Sequence, residues 1–339
     1  MARKKYFFGK RILITGVSGT VGRCLVGELG KLGVSEIVGL DNNESALYLH
    51  AREKGADFRP ILGDIRDKET LESACRGMDI VFHLAALKHV PLCEVNPLEA
   101  VRTNILGVKN IISAAQKTDV EAVINTSTDK VVNPFNVMGT SKLMGEQLIR
   151  AANLCVGDTR FFSTRFGNVL GSSGSVVPIF KTQIQAGQSV TLTSREMTRF
   201  VMTLEEAVEL IIDSLTLAVG GEIFVTKMKA IRVLTLAEVM IGEIKGMSDP
   251  EAIALLIREI GARPGEKVFE ELMSDEEARR SIERDNYYTI MPALTDIYQQ
   301  AQTPVEENVV GIPAPYNSAA VSPMEEESLR RYLLKNALL

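Results

Sequence analysis

A short apolar run, Arg11–Thr15, opens directly onto Gly16-Val17-Ser18-Gly19-Thr20-Val21-Gly22 and then onto an amphipathic stretch, Val21–Leu32. A strand that turns through a glycine loop into a helix is the first half of a βαβ unit. Such a unit needs a parallel sheet with helices on both faces. In the loop, Gly16 permits the tight turn, Gly19 lets backbone approach a pyrophosphate, and Gly22 lets the helix pack on the strand. The helix N-terminus faces the anion. The spacing is GxxGxxG, one residue wider than GxGxxG. The same alternation continues along the chain. Strands are expected at Glu36–Leu40, Phe58–Gly63, Ile80–Leu84, Ala122–Thr126 and Thr159–Arg165, with helices at Glu44–Lys54, Lys68–Cys75, Leu98–Gln116 and Thr140–Asn153. The expected fold is therefore α/β, a Rossmann-type doubly wound parallel sheet with a smaller C-terminal substrate-binding lobe. Residues 1–166 form the dinucleotide-binding domain, to which 204–230 return. Residues 167–203 and 231–339 form the second lobe and tail.

Composition narrows the function classes. With 339 residues the chain is long enough for two lobes, and its net charge of −5 gives no basic excess for a phosphate-backbone binder. No apolar run approaches the about 20 residues of a membrane-spanning helix, so no membrane span is expected. Four scattered cysteines without a CxxC pair, and three histidines, argue against a metal centre and fit a reducing cytoplasm.

In open α/β sheets, ligands bind beyond the carboxyl ends of the strands. Asp41 follows the second strand, 19 residues past Gly22, where a carboxylate accepts from adenosine ribose hydroxyls and repels a 2′-phosphate. NAD is thus expected rather than NADP. Asp64 and Ile65 follow the third strand and are candidates for the adenine. Ala85 and Ala86 follow the fourth and are small enough for a cofactor to lie on the backbone. Beyond the fifth come Ser127-Thr128-Asp129-Lys130 and Asn133–Lys142, which offer hydroxyl, carboxylate and amine groups.

Here a resemblance becomes specific. The chain resembles the extended short-chain dehydrogenase/reductase superfamily, and within it the soluble 4,6-dehydratases of UDP-N-acetylglucosamine used in polysaccharide biosynthesis. The carrying segments are Thr15–Gly22, Ala86–Pro91, Thr103–Gly107, Ser127–Lys130, Asn133–Lys142, Arg165–Gly171, Gly174–Pro178, Met197–Phe200 and Arg263–Lys267, with a looser echo at Pro315–Ser318. Three positions depart from the common pattern. Met138 stands where YxxxK has its tyrosine, Asp41 stands where some short dehydratases have arginine, and Ser173 replaces a loop arginine.

The resemblance implies a redox-neutral cycle: C4 oxidation, loss of water across C5–C6, and hydride return to C6. On it, Lys130 is the C5 base, made neutral by burial beside Lys142, and Asp129 is the acid for the C6 hydroxyl. Thr128 holds the C4 oxygen and Lys142 bonds the nicotinamide ribose. Gly16, Ser18, Gly19, Thr20, Val21, Gly22, Asp41, Asp64, Ile65, Ala85, Ala86, Lys88 and Asn104 surround the cofactor. Lys88, His89, Asn168, Ser175, Val176, Pro178, Lys181, Arg199, Arg263 and Glu266 surround the nucleotide sugar, the two arginines as forks for its diphosphate. A homodimer or higher homo-oligomer is implied, through Leu98–Gln116 and Thr140–Asn153. Two other readings share these residues: an NAD-dependent nucleotide-sugar 4-epimerase and a non-catalytic dinucleotide-sensing protein.

Overall fold

A computed structural model describes residues 2–55, 58–155, 157–172, 174–261, 265–293, 311–312 and 314–339. Six strands, β1 (Arg11–Thr15), β2 (Glu36–Asp41), β3 (Phe58–Leu62), β4 (Ile80–His83), β5 (Ala122–Thr128) and β6 (Arg160–Phe166), pair in parallel in the order β3-β2-β1-β4-β5-β6. Ile223–Thr226 adds in parallel to β6. The antiparallel pair Ser281–Glu283 and Tyr287–Ile290 then extends that edge, making nine strands among the described residues. The order reverses between β1 and β4, so both strand ends there open onto one crevice.

Burial on both faces explains why the strands are continuous apolar runs. Ile12, Ile14, Phe82 and Ile124 face one core, packed under helices Thr20–Lys31 and Leu204–Leu217. Their neighbours Leu13, Val81 and Val123 face the other, under Lys68–Cys75, Val108–Lys117 and Val137–Ala152. A period of two along each strand sorts them. A separate core joins Val177, Phe180, Leu236, Met240, Leu329 and Leu333 from helices Val176–Gln185, Val233–Lys245 and Glu326–Lys335.

Two details differ from the sequence reading. The expected helix Leu98–Gln116 is three pieces, Pro97–Ala100, a π-helical Val101–Gly107 and Val108–Lys117. Helical periodicity cannot register a single widened turn. The pair Ser281–Glu283 and Tyr287–Ile290, expected in the second lobe, sits on the edge of the large sheet, because Ile223–Thr226 otherwise leaves its outer hydrogen-bonding groups unpaired.

Candidate active site

The glycine loop forms as the strand-to-helix junction requires. Gly16 has φ of +70°, and a Cβ there would lie 2.7 Å from the Ala85 backbone. Loop and β4 end are thus pressed together, which explains a glycine opposite an alanine. The backbone N–H of Ser18 donates to Asp41 Oδ2 at 2.9 Å, and that of Asn43 to Asp41 Oδ1 at 2.9 Å. The carboxylate therefore stands at the loop, at the end of β2. Gly19 precedes the Thr20–Lys31 helix with no side-chain cap, and the Ser18 hydroxyl is buried without a partner. An uncapped helix start, an orphaned hydroxyl and a glycine at the tight turn fit a dinucleotide. Thr20, Val21 and Gly22 lie in the first turn of that helix.

Several other expected cofactor residues are engaged within the protein. Asp64 is bound by Arg66, whose Nε and Nη2 reach its carboxylate at 2.9 and 2.6 Å, and that guanidinium holds its carboxyl below the usual range. Ile65 is 3% exposed and packs in the core. Asn104 is fully engaged: Nδ2 donates to the Leu87 carbonyl and Ser141 Oγ, both at 3.0 Å, and Oδ1 accepts from Leu87 N–H at 2.9 Å. With its side-chain donors and acceptor occupied, Asn104 fixes the Ala85–Lys88 loop against helix Val137–Ala152. Its place in the π-helical turn supplies the reach. Ala86 is half-buried, and Lys88 and His89 are exposed beyond it. A Cβ on Gly174 would lie 2.9 Å from His89 Cε1, so His89 meets the loop that leads to Ser175.

Thr128, Asp129 and Lys130 come together at the end of β5. Asp129 is fully buried; Oδ1 accepts from Thr128 Oγ1 at 2.8 Å and Lys130 Nζ at 2.9 Å, while Oδ2 has no partner. A buried carboxylate oxygen without a donor has room for one further hydrogen bond. Lys142, one turn into helix Val137–Ala152, donates from Nζ to the Thr126 carbonyl at 2.5 Å. Burial pulls this amine down to about 8, with Glu146 opposing. His83 beneath it shares a 2.7 Å hydrogen bond with Thr15 Oγ1, and burial and Lys142 keep it neutral, at about 3. Met138 is 3% exposed and packs with Cys93 and Ala100, a hydrophobic wall at the tyrosine position.

One expectation reverses here. Burial does work against charge on Lys130, but Asp129 and Glu270 outweigh it and raise its pKa. Glu270 Oε1 lies 3.4 Å from Lys130 Nζ, and Glu270 is 3% exposed. Sequence reading missed Glu270. It lies beyond the matched Arg263–Lys267 segment, in a stretch without periodicity, and only folding brings it to β5.

Gly139 makes the corner possible. A Cβ there would overlap the Lys130 carbonyl oxygen, so the helix and the Asp129–Val131 turn touch backbone to backbone. Asn136 caps that helix, accepting from Gly139 N–H at 2.7 Å and donating to the Gly265 carbonyl at 2.8 Å. Gly139→Ala is expected to shift Lys130 by about 1 Å and cost roughly 100-fold in turnover. It should also lower stability by about 1–3 kcal/mol. Steady-state rates and thermal melts check both, and unchanged turnover would refute the close contact.

The guanidinium of Arg199, one of the two expected diphosphate forks, is engaged within the protein. Arg199 donates from Nη1 to the carbonyls of Thr198 and Val268 at 2.7 and 3.1 Å and from Nη2 to that of Lys267 at 2.8 Å. Its Nε is 3.7 Å from Glu270. These bonds clamp the 265–270 loop and occupy three of the five guanidinium N–H groups. Arg263, like Ser173, lies outside the described residues. Glu266 accepts from Thr193 Oγ1 at 3.1 Å. Asn168 sits on the short strand Asn168–Val169, paired in parallel with Thr198–Met202, the strand of Arg199. Ser175 precedes helix Val176–Gln185 with its hydroxyl buried and unpartnered, and Val176, Pro178 and Lys181 lie on that helix.

Comparison with known proteins shows the family. Residues 12–292 match the family described as polysaccharide biosynthesis protein. A Methanocaldococcus jannaschii protein named an uncharacterized membrane protein is 47% identical over 86% of this chain and 88% of its own. No helix among the described residues here is long and apolar enough to cross a membrane. A Campylobacter jejuni UDP-N-acetylglucosamine 4,6-dehydratase (inverting) is 37% identical over 87% of this chain and 86% of its own. A Rickettsia akari UDP-glucose 4-epimerase is 37% identical over 97% and 96%. The crystal structure of Pen from Bacillus thuringiensis superposes with a TM-score of 0.90 at 36% identity, covering 98% of this chain and 99% of that one. With the glycine loop, the β5 triad and Lys142 on one crevice, the chain belongs to the polysaccharide biosynthesis protein family, on an extended short-chain dehydrogenase/reductase scaffold.

Proposed function

We propose that this protein is a nucleotide-sugar 4,6-dehydratase acting on UDP-N-acetylglucosamine or a close nucleotide N-acetylhexosamine. The observation that carries the reading is the buried Asp129 with one free carboxylate oxygen, hydrogen-bonded to both Thr128 and Lys130. C4 oxidation alone needs one base. Elimination across C5–C6 needs a second base at C5 and an acid at the C6 hydroxyl, and Asp129 with Lys130 provides both functions. The relatives named UDP-glucose 4-epimerase favour the second reading, epimerisation. The Asp129–Lys130 pair beside an unreactive Met138 favours dehydration.

Gly16, Ser18, Gly19, Asp41, Ala85 and Lys142 would hold a nicotinamide dinucleotide, which when bound supplies the hydride acceptor for C4 and donor for C6. Asp41 at the glycine loop favours NAD by repelling a 2′-phosphate. Asp129 Oδ2 accepts the proton of the C4 hydroxyl, and Thr128 positions that oxygen. The ketone acidifies C5, Lys130 takes its proton, and Asp129 returns its own to the departing C6 hydroxyl. Proton NMR of UDP-N-acetylglucosamine with enzyme in D2O tests the reading: a 4-keto-6-deoxy product with deuterium at C5 is expected, and C4 epimer alone would replace it with epimerisation.

Mass analysis of small molecules released from denatured protein should find NAD; NADP alone would overturn the role given to Asp41. Self-association through the helices after β4 and β5 fits their exposed apolar residues, among them Leu92, Val95, Leu98 and Met144. Light scattering at micromolar concentration should report a dimer or larger, and a monomer would refute it.

A further inference from the structure

The geometry points to Glu270 as a positioning residue for Lys130, one that takes a proton from the lysine ammonium so that a free amine faces C5. This inference rests on the dehydratase reading. Four charged groups meet in this corner: Asp129, Lys130, Glu270 and Arg199, each in contact or near contact with the next. Their formal charges cancel. For Lys130 to act as a base, one proton must leave its nitrogen, and the nearest acceptors are the carboxylates of this cluster.

The destinations differ sharply. Asp129 is already committed, because its Oδ2 receives the C4 hydroxyl proton. Arg199 is a permanent cation whose guanidinium is held by the carbonyls of Thr198, Lys267 and Val268. Glu270 remains. It is 3% exposed, Oε1 faces Lys130 Nζ at 3.4 Å, and Oε2 is buried with no partner, a place for a proton. Burial raises its pKa, with Asp129 adding to that, against the pull of Lys130 and Arg199.

The placement of Glu270 also gives a role to the Pro315–Ser318 segment, which the catalytic steps leave unused. Ser318 is fully buried; its Oγ accepts from Glu270 N–H at 3.0 Å, its N–H donates to the Glu270 carbonyl at 2.9 Å, and its Oγ pairs with Thr198 Oγ1 at 2.9 Å. The tail thereby pins the backbone of Glu270 to the strand that carries Arg199.

The protons balance. An N–H bond of Lys130 breaks as an O–H bond forms on Glu270. The amine then takes the C5 proton, leaving its electron pair in the enolate. When C5 is reprotonated, the ammonium gives that proton back and Glu270 returns its own to the amine. Nothing is gained or lost over the cycle.

The test compares wild type, Glu270→Gln and Glu270→Asp as full-length holoenzymes with UDP-N-acetylglucosamine. Three quantities are read across pH 6–10: single-turnover nicotinamide reduction, kcat with KM, and deuterium incorporation at C5. In Glu270→Gln, nicotinamide reduction should persist, kcat and C5 exchange at pH 7 should fall on the order of 100-fold, and KM should stay within a few-fold. The loss should shrink as pH rises, because solvent hydroxide can then strip the ammonium. Glu270→Asp, which keeps a carboxylate, should recover part of the rate at pH 7 and decides the matter if the glutamine variant does not fold. Wild-type kcat and pH profile in Glu270→Gln would overturn the proposal while leaving the dehydratase reading intact. Equal losses at every pH, or an aspartate variant no better than glutamine, would also overturn it. A wild-type enzyme that makes no 4-keto-6-deoxy product overturns both.

Discussion

Asp129→Asn is expected to abolish the nicotinamide reduction signal of a single turnover, lowering that first step by 100-fold or more. The side chain is fully buried, and its Oδ1 is committed to Thr128 and Lys130. Only Oδ2 is left to accept the C4 hydroxyl proton. Met138 cannot take that proton, since a thioether has none to exchange and accepts weakly. An asparagine keeps the shape but not the basicity. Lys130→Ala should behave oppositely, trapping reduced nicotinamide because C5 is attacked only after the ketone exists. Met138→Leu should retain most activity, as it preserves the wall against Cys93 and Ala100. Stopped-flow absorbance separates the three variants, and a fast burst in Asp129→Asn would leave Asp129 as the C6 acid alone.

Arg165→Met should destabilise the protein by about 3–5 kcal/mol, the cost of leaving a buried charge unpaired. Arg165 is 1% exposed and forks between two carboxylates. Its Nη2 reaches Glu146 at 2.6 Å and Glu277 at 2.9 Å, and its Nη1 donates to the Leu272 carbonyl at 2.8 Å. These bonds tie β6 to helix Val137–Ala152 and to the segment that follows Glu270. Burial would raise the Glu277 carboxyl, but Arg165 holds it at about 2, below its ordinary 4.5. A carboxyl depressed in the folded state stabilises fully above the unfolded value and loses that contribution as pH falls from 4.5 toward 2. Urea midpoints of the wild type should therefore drop through this window, and Arg165→Met should start lower and drop less. Equal midpoints for the two proteins at pH 7 would refute the assignment.

Lys142 and Arg165 show how differently two charged residues in matched motifs can be used. Both stand in segments whose order marks the family, and both are buried. Lys142 opens onto the crevice end of β5, whereas Arg165 points into the packing between β6 and the second lobe. Sequence order does not distinguish them, because the neighbours that decide their use come from distant segments. Arg199 makes the same point: a guanidinium reads as a phosphate fork until three carbonyls are found on it.

The sequence alone determined the parts governed by local rules. Alternating apolar runs and glycine at the first strand end specified the doubly wound sheet, since period and turn chemistry act within a dozen residues. The same locality placed Asp41, Thr128, Asp129, Lys130 and Lys142 at strand ends or on the following helix. Tertiary structure alone decided protonation and partnership. It raised rather than lowered the Lys130 pKa by bringing in Glu270 from 140 residues away. It turned Asn104 from cofactor contact into scaffold through one π-helical turn, and it moved Ser281–Glu283 and Tyr287–Ile290 onto the sheet edge. Electrostatic energy and hydrogen-bond satisfaction depend on distances in space, and those exist only once the chain has closed.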